Sequence, residues 1–207
     1  MKKYSKLFIV LIIINIVCLL SSNIISSKPV CLGILIFTTG DFLFPITYIL
    51  NDLFVEVYGL EASKFTIRIS FISNLIMILI FMIAIILPYP NYYMDQSSFQ
   101  KVLSFTPKLL LASLLAYYFG NLSNSIIMTK LKDKHKNQKI WIRTILSSII
   151  GEAVDTGIFI IIAFIGTVSI SELFKMIISV YFLKLIIEII FTPFLVKIIS
   201  RVKKMEG

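Results

Sequence analysis

Six stretches of about 20 apolar residues run through this chain, at approximately 7–26, 31–55, 65–87, 107–128, 144–166 and 174–197. Each is as long as a helix must be to cross the roughly 30 Å hydrocarbon core of a bilayer. The polar stretches between them are too short to form a domain. Only 15% of the 207 residues are charged and the mean hydropathy is +0.96, whereas about 25% are charged in ordinary soluble domains. A water-soluble body of this size could not cover that much apolar surface, because its own surface must stay largely polar. A soluble enzyme is therefore excluded, and so is a soluble domain on a single anchor. The sequence predicts an all-α polytopic membrane protein, one bundle of six transmembrane helices over residues 1–207.

Local signals set the ends of these spans. Ser21, Ser22 and Asn23 follow the first span where a cleaved leader would show a small-residue processing site, so this segment reads as a span. Pro88 and Pro90 close the third. Pro107 opens the fourth in the first turn, where a missing N–H costs nothing. Ser169 and Glu172 have capping-box spacing ahead of the sixth.

Basic residues set the orientation. Lys2, Lys3, Lys6, Lys64, Arg68, six positions between Lys130 and Arg143, and Lys197, Arg201, Lys203 and Lys204 fall on one side, fifteen of the twenty in the chain. Lys28, Lys101, Lys108 and Lys175 fall on the other, and Lys184 lies inside a span. Cytoplasmic loops carry the excess of Lys and Arg, so both termini are expected in the cytoplasm. This distribution also accounts for the net charge of +9 without a nucleic-acid partner. Cys18 and Cys31 lack metal-site spacing and read as buried free thiols, and His135 stands alone in a lysine-rich loop. No metal, cofactor or histidine-based catalytic set is expected.

Ionisable residues within spans are costly, about 2.5–3.5 kcal/mol each at mid-depth, and ask for a reason. Three groups occur. In the second segment Gly40 and Pro45 mark a broken or kinked span, and Pro45, Tyr48, Asp52, Glu56 and Gly59 share a face. Asp52 and Glu56 either line a site or sit at the inner membrane edge, paired with Lys64 or Arg68. In the fifth span Glu152 and Asp155 lie three apart near the centre with no basic neighbour in the segment. They form either a ligand or proton site or a structural pair bonded to another helix. In the sixth, Lys184 pairs with Glu188 one turn away or with Asp155 across the bundle. Asn23, Asn51, Asn121 and Asn124 add amides of the kind that join helices.

The string Phe44-Pro45-Ile46-Thr47-Tyr48-Ile49-Leu50-Asn51-Asp52, followed by Glu56-Val57-Tyr58-Gly59, resembles the signature of the queuosine precursor transporter family, also called the vitamin uptake transporter family. Ser21-Ser22-Asn23 resembles the end of its first helix. Trp141, Arg143, Gly151, Asp155-Thr156, Phe159 and Ala163-Phe164 resemble its fifth helix and the approach to it, and Tyr181, Lys184, Glu188 and Pro193 its sixth. Two positions depart from the pattern: Asp41 stands where a small or apolar residue is expected, and Asn51 replaces the usual Thr before Asp52.

The resemblance implies a multi-pass importer of the inner (plasma) membrane, with a fold similar to the substrate-binding subunits of energy-coupling-factor transporters. Its substrates would be 7-deazaguanine bases for queuosine salvage in transfer RNA: the 7-cyano and 7-aminomethyl forms, with queuine in some members. The expected binding set is Asn23, Tyr48, Asp52, Glu56, Glu152, Asp155, Lys184 and Glu188. One of Glu152 and Asp155 is expected to exchange a proton during transport, the other staying charged beside Lys184. The alternative is a binding subunit that needs a separate energising complex, since the chain has no Gly-rich phosphate loop with which to hydrolyse ATP. Partners are then the base and the bilayer, with an energising complex or a second copy left open.

The orientation is directly testable. A cysteine replacing Asn137 in an otherwise cysteine-free chain is expected to react only with reagent reaching the cytoplasmic face. Labelling solely from outside would invert the topology.

Overall fold

The structure, a computed structural model, describes residues 5–32, 35–103, 107–134 and 140–206. His135 and position 137 lie outside the described residues, as do the side chains of Cys31, Asp41, Phe42, Phe44 and Pro45. Seven α-helices carry most of the chain: α1 Lys6–Ile25, α2 Phe44–Leu53, α3 Leu60–Ile86, α4 Gln96–Leu103, α5 Pro107–Lys134, α6 Ile140–Phe164 and α7 Ile170–Glu206. Among the described residues α1, α3 and α6 are both long and apolar enough to cross a membrane. The expected end signals operate. Pro107 opens α5. Ser169 Oγ accepts from Glu172 N at 3.3 Å while Glu172 Oε2 accepts from Ser169 N at 3.0 Å, closing the capping box. These bonds, with the Ser169 hydroxyl, hold the Glu172 carboxyl below the usual range.

The second apolar segment departs from the sequence reading. Residues 31–55 are not one helix with a kink. An antiparallel hairpin comes first, β1 Pro29–Leu32 paired with β2 Leu35–Thr38, Pro29 lying opposite Thr38. A 3-10 turn at Thr39–Phe42 then leads into α2, and α2 runs on as a π-helix over Phe54–Tyr58. Val30, Ile36, Phe37 and Thr38 are β-formers, and Pro29 is tolerated at a strand's first residue. The hairpin is anchored to the end of α1. Ser22 Oγ donates to Gly40 O at 2.8 Å, and a Cβ on Gly40 would stand 2.5 Å from the Ser22 carbonyl oxygen. The π-helix ends at Gly59, whose φ of 88° turns the chain into α3.

Side-chain contacts fix the helix directions. Asn15 reaches Ser70, and Asn23 reaches Asn74, so α1 and α3 run parallel. Asn51 meets Ser125 and Asp52 meets Asn124, while Glu56 O accepts from Lys132, so α2 and α5 run parallel. Ser63 meets Ser125 and Phe71 meets Tyr118 edge to face, so α3 and α5 are antiparallel. Ser148 meets Glu188 and Asp155 meets Lys184, so α6 and α7 are antiparallel as well. Ser147 meets Met128 and Asp155 lies against Gly120, so α5 and α6 are antiparallel too, and α1, α3 and α6 point one way with α2, α5 and α7 the other. Ser5 Oγ donates to Glu206 Oε1 at 2.6 Å, bringing the two described ends of the chain to the same end of the bundle.

The packing is inverted relative to a soluble protein. Ile9, Ile13 and Val17 of α1, Ile72, Ile76 and Ile83 of α3, and Ile178, Phe182 and Phe194 of α7 face outward. The interior holds Asn15, Asn51, Asp52, Glu56, Asn74, Asn124, Arg143, Glu152, Asp155 and Glu188. Hydrocarbon around the bundle reverses the usual sorting of polar and apolar groups. At the end that carries the termini, Phe8, Leu53, Phe54, Leu195 and Ile199 form the main apolar cluster. Beside it Glu56 is clasped by Arg143 Nη2 at 3.0 Å and Lys203 Nζ at 2.6 Å, with Arg143 and Glu56 both fully buried. The edge pairing of Glu56 with Lys64 or Arg68 is thereby corrected: Lys64 pairs with Glu61 at 2.9 Å. Arg143 is likewise not a loop residue but the third helical residue's neighbour in α6, turned into the core.

Removing one partner of a buried ion pair strands the other, at about 3–5 kcal/mol. Arg143→Met is therefore expected to lower the thermal unfolding temperature in detergent strongly, whereas the double variant Arg143→Met/Glu56→Leu should recover much of the loss. Equal stability of Arg143→Met and the parent chain would refute the clasp.

Candidate functional site

The interior polar groups follow one stripe of α6. Thr144, Ser148, Glu152, Asp155 and Thr156 recur at spacings of four, four, three and one, which puts them on one helical face. All are buried. Two glycines let α5 lie against this face. A Cβ on Gly120 would stand 2.7 Å from Asp155 Cβ and 2.8 Å from the Tyr48 hydroxyl. A Cβ on Gly151 would stand 2.8 Å from Asn124 Cβ. The close α5–α6 approach thus needs glycine at both positions, as small residues permit in membrane bundles.

The first cluster centres on Lys184. Its Nζ lies 2.5 Å from Asp155 Oδ2 and 3.5 Å from Glu152 Oε2. Of the two pairings left open for Lys184, the structure takes the one across the bundle. Glu152 and Asp155 lack a basic neighbour in their own helix, and α7 supplies it. Tyr181 caps the same region, donating to Ile149 O at 3.2 Å. Tyr48 enters from α2 fully buried, with Glu152, Asp155 and Glu188 as its charged neighbours.

A second cluster adjoins it. Glu188, one turn along α7 from Lys184, accepts from Ser148 Oγ. Asp52 Oδ1 accepts from Asn124 Nδ2 at 2.7 Å, and the Thr144 hydroxyl lies beside Asp52. Several buried polar atoms here make no hydrogen bond of ordinary geometry among the described residues: Tyr48 Oη, Asp52 Oδ2, Asn124 Oδ1, Thr144 Oγ1 and Glu188 Oε2. Buried polar groups left unpaired are uncommon and cost about 1–3 kcal/mol each.

Six of the expected residues, Tyr48, Asp52, Glu152, Asp155, Lys184 and Glu188, come together around this stripe. Glu56 lies one turn beyond Asp52 in the Arg143–Lys203 clasp. Asn23 lies apart, its Nδ2 donating to Asn74 Oδ1 at 2.8 Å between α1 and α3. Asn51 is saturated, donating to Ser125 Oγ at 3.0 Å and accepting from Ser63 Oγ at 2.7 Å, so it joins α2, α3 and α5. Sequence reasoning missed Gly120, Thr144 and Ser148. The signal for Thr144 and Ser148 was their four-residue spacing ahead of Glu152; Gly120, on α5, had none of this kind.

Outward-facing apolar helices around a buried cluster of carboxyls and one lysine are the marks of an integral-membrane protein with a polar interior. The chain belongs to the vitamin uptake transporter family: the profile described as "Putative vitamin uptake transporter" matches residues 38–198. It is 23% identical over 159 residues to the "Probable queuosine precursor transporter" of Bacillus subtilis (strain 168), covering 76% of this chain and 69% of that protein. It is 25% identical over 163 residues to the "Queuosine precursor transporter" of Escherichia coli (strain K12), covering 79% and 71%. No solved structure matches the chain.

The glycine contacts yield an internally controlled test. Gly120→Ala and Gly151→Ala are expected to destabilise by about 1–3 kcal/mol through overpacking. Gly157→Ala, with nothing within 4 Å of its added Cβ, should be neutral or slightly stabilising. Thermal unfolding of the three variants in detergent ranks them.

Proposed function

We propose that this chain is a carrier of queuosine precursors, 7-deazaguanine bases, across the cytoplasmic membrane. The observation that carries the reading is that the family match, residues 38–198, encloses the whole carboxyl cluster from Tyr48 to Glu188. Two relatives of the same family carry queuosine precursor transport in their names. The alternating helix directions support six crossings: α1, α2 with its hairpin, α3, α5, α6 and α7, with α4 in the loop between α3 and α5. Such a bundle would be similar to an energy-coupling-factor binding subunit. The common end of the two described termini, with its lysines, would face the cytoplasm.

The chemistry of the cargo suits the Lys184 cluster. A guanine-like edge presents a ring N–H beside an amino group, and a carboxylate accepts both at once. Glu152 or Asp155 would serve as that acceptor. Lys184 and the Tyr48 hydroxyl would donate to the ring oxygen. A cationic aminomethyl tail would meet the remaining carboxylate. The four acids Asp52, Glu152, Asp155 and Glu188 outnumber Lys184, an imbalance that a cationic or donor-rich solute relieves in low dielectric. Exposure of this central site alternately to the two sides would move the base.

The test uses the purified chain alone in proteoliposomes and labelled 7-aminomethyl-7-deazaguanine. Uptake is expected without any further protein. Asp155→Asn and Glu152→Gln should each reduce it about tenfold or more, since a hydrogen bond to a charged group is worth about 1.5–3 kcal/mol. Unchanged transport by both variants would refute the site. Uptake only on addition of a second, ATP-hydrolysing complex would make the chain a binding subunit instead.

A further inference from the structure

The four acids around the α6 stripe are not held alike. Glu152 and Asp155 share the Lys184 ammonium, at 3.5 and 2.5 Å. Asp52 and Glu188 instead each rest one oxygen on a neutral donor, Asn124 Nδ2 at 2.7 Å and Ser148 Oγ respectively. A neutral donor can serve a carboxyl in either protonation state, because the carbonyl oxygen of the acid form also accepts. Asp52 has a second neutral neighbour in the Thr144 hydroxyl, Glu188 Oε2 makes no hydrogen bond of ordinary geometry among the described residues, and the two residues are 0% and 1% exposed.

Position on α6 brings the two acids together. Thr144 stands beside Asp52 and Ser148 holds Glu188, and these two α6 residues are four apart, one turn on the same face. Asn124, which holds Asp52, packs on Gly151, three residues along α6 from Ser148, and the charge of Asp52 reaches Glu188. The other charged groups facing them are Glu56 on α2, Arg143 and Glu152 on α6, and Lys184 on α7. Arg143 is already engaged by Glu56 at 3.0 Å, and Lys184 by Asp155. Among the described residues no group of three or more acidic, histidine or cysteine side chains is arranged to hold a metal ion.

We propose that Asp52 and Glu188 form a proton site, separate from the Lys184 cluster, in which one exchangeable proton binds the carboxyl pair and couples its passage to that of the solute. The coupling half of this proposal rests on the carrier reading; the proton-binding half does not. In the coupled step one O–H bond forms on a carboxylate as a proton enters from one side. The same bond breaks as the proton leaves to the other side, and no other covalent bond changes. The proton exchange expected of Glu152 or Asp155 from sequence thus moves one turn along the stripe, to the pair that holds no ammonium of its own.

Two measurements on the full chain in lipid test it. The first is infrared difference spectroscopy between acid and alkaline buffer, with no solute present. The C=O stretch of a protonated carboxyl should appear and be lost or shifted in both Asp52→Asn and Glu188→Gln, while Asp155→Asn retains it. A band unaffected by either variant, or one removed by Asp155→Asn alone, overturns the proton site. The second is accumulation of labelled 7-aminomethyl-7-deazaguanine with an imposed pH gradient in sodium-free buffer. The parent chain should accumulate base several-fold above the external level, and a protonophore should abolish this. In Glu188→Gln the level reached should be the same with and without the gradient, and Glu188→Asp should restore part of the difference. Accumulation that follows a sodium gradient and ignores pH overturns the coupling. If the band behaves as expected but the parent chain moves no base at all, the carrier reading fails while the proton site stands. A thermal unfolding transition confirms that each variant is folded, and the Glu188 pair of variants decides if Asp52→Asn is not.

Discussion

A helix carrying Thr144, Ser148, Glu152, Asp155 and Thr156 along one face cannot show that face to lipid. Everything else in the bundle follows from the need to close over it. Each unsatisfied polar group in hydrocarbon costs several kcal/mol, so α2, α5 and α7 must each bring partners to α6. They do so at different heights. Tyr48 and Asp52 come from α2, Asn124 from α5, and Lys184 and Glu188 from α7. The approach is close enough only because Gly120 and Gly151 leave no Cβ in the way. The α5–α6 contact is therefore the constraint on which the site depends: widen it, and Asp155, Tyr48 and Asn124 all lose their positions at once.

The outward half of the structure has a simpler logic. The amide and hydroxyl bonds between α1 and α3, Asn15 with Ser70 and Asn23 with Asn74, are worth only about 0.6 kcal/mol each on average in membrane bundles. They set register more than stability. Their role in this chain is to hold α1 and α3 parallel and to carry the Ser63–Asn51–Ser125 junction that joins α3 to α2 and α5. Asn51, at the position where the family pattern has Thr, is thus a joint between three helices.

Much of this was legible in the sequence, and the rest was hidden for definite reasons. Helix ends were readable because Pro107, Ser169 and Glu172 act on their own backbone. The buried acids were readable because charge inside an apolar run is costly and asks for a partner, whether structural or functional. Partners were not readable. Arg143 counted as a loop cation because it follows a lysine-rich stretch, and only the fold shows Glu56, 87 positions earlier, beneath it. The hairpin at 29–38 was hidden because an apolar run of β-branched residues has the same hydropathy as a span. Asn23 looked like a site residue because an amide in a span is equally suited to a ligand or to another amide, and Asn74 took it.

The two charged centres along α6 are imbalanced in opposite senses, and this separates their roles. At the terminal end one carboxylate, Glu56, faces two cations, Arg143 and Lys203, and its backbone carbonyl takes a third, Lys132, at 2.8 Å. Nine residues along α6, about 14 Å at 1.5 Å per residue, one cation faces Glu152 and Asp155, with Asp52 and Glu188 between. Held by Arg143 and Lys203, Glu56 serves as a clasp for α2, α5, α6 and α7. Carboxyls in excess over their cation can be relieved only by protons or by a solute that brings donors or positive charge. The same helix thus carries a permanent pair at one end and an adjustable set near its middle. Arg143, through its charge on Asp52 one turn away, joins them, so that loosening the clasp would change the electrostatic setting of the exchangeable acids as well as the packing of the helix ends.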